Sequence, residues 1–550
     1  MKHLLWVGIV FGLLQAGAAT AQPVKINKDD VVVIYGDSIT EQNLYAAYVE
    51  TFLRTRFADK NLTVYNFGWG GDTAGGGNAR FTRDVAPVKP TLVFVNFGMN
   101  DGGYSAFNQG NCDGYIGNQR ALAATIKAAG AREVLLTTSP VDNEIRKSDM
   151  YNDTLARMAD GVIGLAKELD IPVIDQFHPM RDVQKTAKEK QPGFTMIPDS
   201  VHPNAIGHLV MAYEILKGID APASVGSIQI VGDKADVQGV KIANLTVKNS
   251  NTSFDLTLPF IPFYIPADAR TALTMVPFQK ELNALMLTVK GLDEHAGYLV
   301  TVDGQEGDTY SAAQLADGVD IATMDNATWT TQGKAIWDAA LLRWTRHFDA
   351  WRTLGFRNDE MAKLPAFAKM VTSQRDFVHE LDGYMQTLAQ PKTYQVSLVK
   401  VKPAIFTTLE FSPTYPFAKE DFAKQYPPET TPDQVAWQVV PFNKGLFDLS
   451  AMTHNGTDCA IYARAKVSAD ADCQVTFSMG SDDGLVVLLD GKRVWERDVY
   501  RANMPGSDVF TVEMSKGEHT LLFRVDQGNG GFGLSVAAKA LGDANVVQVK

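Results

Sequence analysis

From Val31 to about Asp220, short apolar runs alternate with longer amphipathic stretches. The runs "VVVIY", "LTVYNF", "TLVFVNFG", "EVLLTT" and "IPVID" predict strands. "NLYAAYVETFLRTRF", "YIGNQRALAATIKAAG" and "YNDTLARMADGVIGLAKEL" predict helices between them. Apolar strands without polar alternation, each followed by a helix, imply parallel βαβ units with both sheet faces covered. The expectation is a three-layer, flavodoxin-like α/β domain whose ligand site lies at the carboxyl ends of the strands.

Past Ala221 the pattern changes. "SIQIVGDKADVQGVKIANLTVKNSNTSFDLTLPF" and "LNALMLTVKGLDEHAGYLVTVDG" read as strands joined by turns. "KAIWDAALLRWTRHFDAWRTL" then turns helical, with Trp337, Leu341, Trp344, Phe348 and Trp351 at spacings of four, three, four and three. That period predicts a buried helix face rather than an aromatic ligand platform. From about Tyr394 a Pro-rich entry leads into alternating strands with frequent turns, an antiparallel β-sandwich. The organisation read is residues 22–222 as a catalytic domain, 223–393 as a β-rich then helical accessory region, and 394–550 as the sandwich.

Composition narrows the class. A chain of 550 residues exceeds one core, and 45% hydrophobic with 21% charged residues fits a globular protein. A net charge of −12 without a long basic run argues against a nucleic-acid partner. The start, "MKHLLWVGIVFGLLQAGAATAQ", has a basic end, an apolar stretch from Leu4 to Leu14, and Ala19 and Ala21 at −3 and −1 of a cleavage after Ala21. This predicts a signal peptide over residues 1–21 and export to the periplasm or the extracellular space, with no transmembrane segment. The three cysteines, Cys112, Cys459 and Cys473, make no disulfide framework; Cys459 and Cys473 flank an expected hairpin but fall out of register for a bridge.

The chemistry is concentrated in four segments of the first domain. "VVVIYGDSIT" runs a strand into Ser38, which in isolation reads as a helix cap. "NFGWGGDT" places Gly71 in the loop after the second strand, "FGMND" places Asn100 beyond the third, and "PDSVHPNAIGH" offers Asp199 and His202 before the last helix. A doubly wound sheet brings strand ends and helix-entry loops to one rim, and there the four can form a nucleophile, a base, its orienting acid and oxyanion donors.

In order, "GDSIT", the Gly of "GGDT", "GMND" and "DSVH" resemble the four signature blocks of the SGNH (GDSL-type) hydrolase family, over roughly Val31 to Ile219. The resemblance implies an SGNH hydrolase fold and an acyl-enzyme esterase without a metal or organic cofactor. Ser38 becomes nucleophile and first oxyanion donor, Gly71 and Asn100 the other donors, and Asp199 and His202 complete the triad. Gly71 rather than Gly70 is chosen because it directly precedes Asp72-Thr73.

Asp37 is expected to order the turn at Ser38, and Trp69, Met99, Tyr104 and Asn204 to line the substrate. His178 is set aside as a base for want of an Asp three residues before it, and His208 as facing away from the site. The last domain resembles galactose-binding and protective-antigen-type jelly-roll modules through "FSMGSDDGLVVLLDGKRVW" and "MSKGEHTLLFRVDQGNGGFGLSV", which implies possible glycan binding; Asp482, Asp483 and Asp490 are turn formers in any case.

The activity expected is a secreted carbohydrate O-acetylesterase acting on a small-molecule or polysaccharide ester. The alternatives are a lipid-directed esterase such as a lysophospholipase and, from another class, a carbohydrate-binding protein with an inactive hydrolase scaffold.

Overall fold

The structure, a computed structural model, describes residues 23–190, 193–222, 224–248, 251–294, 296–356, 359–402, 405–418, 422–442, 445–450, 457–541 and 544–549. The expected signal peptide lies outside the described residues. Among those described, no helix is long and apolar enough to cross a membrane.

Five parallel strands form the first sheet: β1 (Val31–Gly36), β2 (Thr63–Asn66), β3 (Leu92–Asn96), β4 (Arg132–Leu136) and β5 (Val173–Ile174). Their order is β2-β1-β3-β4-β5. β1 shows why the run carries no polar alternation. Val32 and Ile34 enter the core under the helices Leu44–Arg56 and Ala205–Lys217, while Val33 and Tyr35 enter the core under Ala74–Asp84, Gln109–Ala128 and Met150–Leu169. Both faces are covered, so both sets of side chains are apolar. The chain leaves β1 toward β2 on one side and returns to β3 on the other. This topological switch opens a crevice at the carboxyl end of β1, and Ser38 lies two residues beyond it.

The accessory region carries two sheets. One is ordered Val319–Asp320, Leu285–Lys290, Gly226–Val231, Lys234–Gln238; the other is Gln305–Ser311, Gly297–Val302, Thr393–Val401, Asn251–Thr257, Lys241–Lys248. Strand Thr393–Val401, which the sequence reading gives to the last domain, pairs antiparallel with Asn251–Thr257 and Gly297–Val302. Alternation identifies a strand but not its sheet, so the boundary read at 393/394 falls inside this ladder.

The accessory region is also fastened to the hydrolase domain. Phe263, Ile265, Ala269 and Phe278 pack into the same core as Tyr48 and Phe52. Asp382, on the helix Pro365–Leu388, pairs with Arg343 (Nε–Oδ1 2.6 Å) of the helix Thr328–Phe348 and with Arg54 of the hydrolase domain. Arg54 also bonds Glu50 at 2.9 Å, and Arg343 reaches the carbonyl of Val64 at β2. Burial works to raise the Asp382 pKa, but Arg343 and Arg54 outweigh it and hold the carboxyl below the usual range.

This docking rotates the expected aromatic stripe. Trp337 is buried and stacks on Tyr48 at 4.7 Å, but Leu341, Trp344, Phe348 and Trp351 are only half-buried. The buried line continues instead through Ala340, Arg343, His347 and Ala350, because the paired guanidinium of Arg343 takes the place that a purely apolar pattern assigns to Trp344.

Residues 405–549 contain two facing antiparallel sheets around one apolar core, a β-sandwich. Cys459–Ala469 and Cys473–Asp482 do not pair as the expected hairpin; they belong to different sheets, and all three cysteines are free thiols. A short connection between strands fits an inter-sheet corner as well as a hairpin. Asp483 accepts the N–H groups of Arg501 (2.8 Å) and Gly528 (3.0 Å), and Asp490 accepts that of Thr520 (2.8 Å) while pairing with His519 at 2.7 Å. These carboxylates hold turns.

Candidate active site

The strand-to-helix turn at Ser38 is forced by close packing. A Cβ on Gly36 would lie 2.2 Å from Thr40 Oγ1 and 2.4 Å from the carbonyl of Asn96, so only glycine fits. Asp37 caps the short helix Ser38–Glu41 by accepting the Ile39 N–H at 3.0 Å, as expected of it. It is buried, and burial, with Asp101 and Asp72 adding repulsion, pushes its carboxyl up to about 7.

The Ser38 hydroxyl lies 2.9 Å from His202 Nε2, and His202 Nδ1 lies 2.7 Å from Asp199 Oδ2. Asp199 Oδ1 accepts the backbone N–H groups of Val201 (2.9 Å) and His202 (2.7 Å), so the segment folds back on its own carboxylate. Partial burial acts to raise the Asp199 pKa, but these bonds and the His202 ring outweigh it and lower it. The carboxylate is therefore ionised and its second oxygen fixes the imidazole with Nδ1 protonated, leaving Nε2 to accept from Ser38.

The loop after β2 folds over the Ser38 helix. Trp69 N–H donates to the Gly36 carbonyl at 3.0 Å and Asp72 N–H to the Trp69 carbonyl at 3.1 Å. Gly68 approaches so closely that a Cβ would sit 2.2 Å from Glu41 N. Gly71 takes φ +76 and is exposed, with nothing within 4 Å of where a side chain would start. Asn100 Nδ2 donates to the Asp72 carbonyl at 2.8 Å, and the Tyr104 hydroxyl donates to Asn100 Oδ1 at 2.8 Å. These two bonds set which way the amide points and leave its second N–H free for a ligand. Ser38, Gly71, Asn100, Asp199 and His202 are thus gathered at one rim.

The four residues expected to line the substrate separate. Trp69 and Tyr104 are half-buried at the rim. Met99 is fully buried in the core, with its carbonyl accepting from Tyr151, and is closed to a substrate. Asn204 caps the helix Ala205–Lys217 by accepting the Gly207 N–H at 3.1 Å.

Two histidine readings need correction. Asp175 does stand three residues before His178 and pairs with its Nδ1 at 2.8 Å, so the stated ground for setting His178 aside fails. What separates the two histidines is that His202, not His178, bonds Ser38. His208 does not face away: it is buried against the Ser38 side of the domain, accepting Tyr45 N–H at 3.3 Å and bonding Gln42 Oε1 at 2.9 Å. Burial, with the nearby His202, pushes it down to about 3, so it stays neutral and packs as an uncharged polar ring.

Two supports carry no local sequence signal. Arg80 bonds Asp72 at 2.6 Å and the carbonyls of Gly36 (3.2 Å) and Phe67 (2.9 Å), tying the ends of β1 and β2 to the Gly71 loop. Asp142, buried after β4, accepts from Thr195 (2.6 Å), Lys188 (2.7 Å) and Gln184 (3.0 Å), and its N–H donates to the Ser200 carbonyl at 3.0 Å. It anchors the segment bearing Asp199 and His202.

Known proteins resemble this chain chiefly over the hydrolase domain. The model of the GDSL-like lipase/acylhydrolase family matches residues 34–210. An acetylxylan esterase of Geobacillus stearothermophilus is 25% identical over 217 residues, 36% of this chain and 96% of that protein. A GDSL esterase/lipase, WDL1, of Oryza sativa subsp. japonica is 30% identical over 155 residues, 25% of this chain and 56% of that protein. The solved structure of BT4096, a gut microbial diltiazem-metabolizing enzyme, superposes with a TM-score of 0.61 at 25% identity over 69% of this chain and 100% of that one. That span exceeds the hydrolase domain and takes in accessory structure. Residues 34–210 of this chain are a GDSL-like lipase/acylhydrolase domain, and the protein is an ester-hydrolysing enzyme.

Proposed function

We propose that the protein is an exported carbohydrate O-acetylesterase working through an acyl-enzyme on Ser38. The observation that carries the reading is the continuous relay from Ser38 Oγ through His202 Nε2 and Nδ1 to Asp199, at 2.9 and 2.7 Å. Ser38 Oγ attacks the ester carbonyl while its proton passes to His202 Nε2, and Asp199 stabilises the imidazolium. The oxygen of the tetrahedral intermediate takes hydrogen bonds from the N–H groups of Ser38 and Gly71 and from Asn100 Nδ2. Collapse breaks the bond to the alcohol oxygen, which leaves with the proton from His202. A water then gives its proton to His202, attacks the acyl-serine, and releases the acid and free Ser38.

The substrate class rests on two supports. One is the similarity to an acetylxylan esterase along nearly the whole of that protein. The other is an open site: the Asp199 side chain is 57% exposed and that of His202 32%, which suits a bulky or polymeric alcohol. A glycan-binding role for the sandwich would suit the same polymeric substrate.

The test is acetate release from acetylated xylan and pectin beside fatty-acid release from a lysophospholipid, with wild type and Ser38→Ala. Ser38-dependent acetate release is expected. Fatty-acid release alone would move the assignment to lipids. Inertness toward both substrates and toward a serine-directed covalent inhibitor, with glycan binding retained, would make the protein a binding scaffold.

A further inference from the structure

The rim is not closed by the hydrolase domain alone. The helix Thr328–Phe348 runs on into a π-helical turn, Asp349–Thr353, which reaches the loop bearing Gly71. Such local departures from α-geometry are frequent at functional sites. Arg352, on this turn, bonds Glu41 through Nη1 and Oε1 at 2.5 Å, and its guanidinium lies 3.9 Å from the centre of the Trp69 ring. Trp351 and Phe356 meet the same ring edge-on at 5.8 and 5.5 Å. Glu41 ends the helix that Ser38 begins, and Trp69 stands two residues before Gly71. One side chain of the accessory region therefore grips both elements that present the backbone oxyanion donors.

We propose that Arg352 is a positioning residue of the esterase: its bridge from Glu41 to Trp69 fixes the spacing of the Ser38 and Gly71 N–H groups, so the accessory region completes the active site. The inference rests on the acyl-enzyme reading above. Geometry supports it from both ends. The helix leading to Arg352 is fastened to the hydrolase domain nine residues earlier, by the Arg343–Asp382–Arg54 network. At the loop end Arg80 holds Asp72 and Arg352 covers Trp69, one on each side of Gly70 and Gly71. Gly70 and Gly71 are both exposed, and a Cβ at Gly71 would meet nothing.

Charge points the same way. A Cβ at Gly70 would lie 2.7 Å from Glu41 Oε2, so this carboxylate sits against the residue next to the Gly71 donor. Left unpaired, it would oppose the negative charge that develops on the substrate oxygen. Arg352 neutralises it and holds it aside.

The test uses the full chain and p-nitrophenyl acetate, with Ser38→Ala as the control for Ser38-dependent turnover. Arg352→Ala should lower kcat about 10- to 100-fold with KM within about threefold, because donors displaced by a fraction of an ångström fail the transition state more than the ground state. Arg352→Lys should recover part of the loss by restoring charge without the planar fork.

Glu41→Gln should lower kcat by less than Arg352→Ala, because it weakens the bridge without leaving an unpaired carboxylate, and the double variant Glu41→Gln/Arg352→Ala should be no worse than Arg352→Ala alone, as a shared bridge requires. If Arg352→Ala does not fold, Arg352→Lys and Glu41→Gln decide the matter. An unchanged kcat in the folded variants, a loss confined to KM, or losses that multiply in the double variant would each overturn the proposal. Those outcomes leave the esterase assignment standing. A wild type without Ser38-dependent turnover would sink both.

Discussion

Replacing Asp199 tests the site's electrostatics, because the structure gives this carboxylate an unusual setting for its proposed role. It bonds His202 Nδ1 at 2.7 Å, yet its side chain is 57% exposed and that of His202 32%. Opposite charges about 4 Å apart attract by ~1 kcal/mol in water and ~4 kcal/mol at the effective dielectric of a protein surface. Solvent screening places this pair in the middle of that range, about 2–3 kcal/mol of support for the imidazolium formed in the transition state.

Asp199→Ala should therefore lower kcat about 30- to 150-fold. That is well short of the ~10⁴-fold fall seen when a buried triad carboxylate becomes an amide. Asp199→Asn should be worse than Ala. Its oxygen would still accept the Val201 and His202 N–H groups, which turns its NH₂ toward Nδ1 and forces the ring proton onto Nε2, where Ser38 needs an acceptor. Steady-state kinetics on p-nitrophenyl acetate with both variants decides the point. A kcat within threefold of wild type for Asp199→Ala, or an Asn variant more active than the Ala variant, would refute the assignment of Asp199 as the orienting acid.

Other consequences follow from the same structure. Asp37 keeps its proton in the fold up to about pH 7, whereas unfolded it loses it near pH 4, so its folding contribution worsens as pH rises through that window and is constant above it. Asp37→Asn retains an acceptor for Ile39 N–H, and its stability advantage over wild type should grow from near zero at pH 4 to on the order of 4 kcal/mol at pH 8; a melting-temperature difference independent of pH would contradict this.

Asp382→Ala leaves Arg343 and Arg54 buried without their shared carboxylate and should destabilise by about 3–5 kcal/mol, read by denaturant unfolding. A loss below 1 kcal/mol would mean that the network does not fasten the two regions. Gly68→Ala drives a Cβ into the backbone at Glu41. Hydrolysis should fall through kcat, and an unaffected variant would show that the loop can shift without moving its donors.

The chain disclosed the α/β domain because its signals are local. A strand such as "VVVIY" announces coverage on both faces by lacking polar alternation, and Ser38, Gly71, Asn100, Asp199 and His202 all stand at strand ends or helix entries, which any doubly wound sheet brings together. What failed was mostly a matter of partners. Met99 adjoins Asn100 yet points into the core, because neighbours along a turn face opposite ways. Alternation fixes a strand's faces but not its sheet, so the strands that Cys459 and Cys473 begin look like a hairpin yet lie in different sheets. For the same reason the strand Thr393–Val401 reads with the sandwich yet pairs in the accessory region.

The sequence by itself determined the order of strands and helices, the antiparallel sandwich and the five residues gathered at the rim. Tertiary structure alone decided what holds that rim: Arg80 across the ends of β1 and β2, Asp142 under the His202 segment, and Arg352 reaching Glu41 from more than three hundred residues away. Periodicity and turn chemistry act over a few residues and are written along the chain. An ion pair between distant segments depends on which surfaces meet, and a lone arginine on a helix carries no mark of the carboxylate it will find.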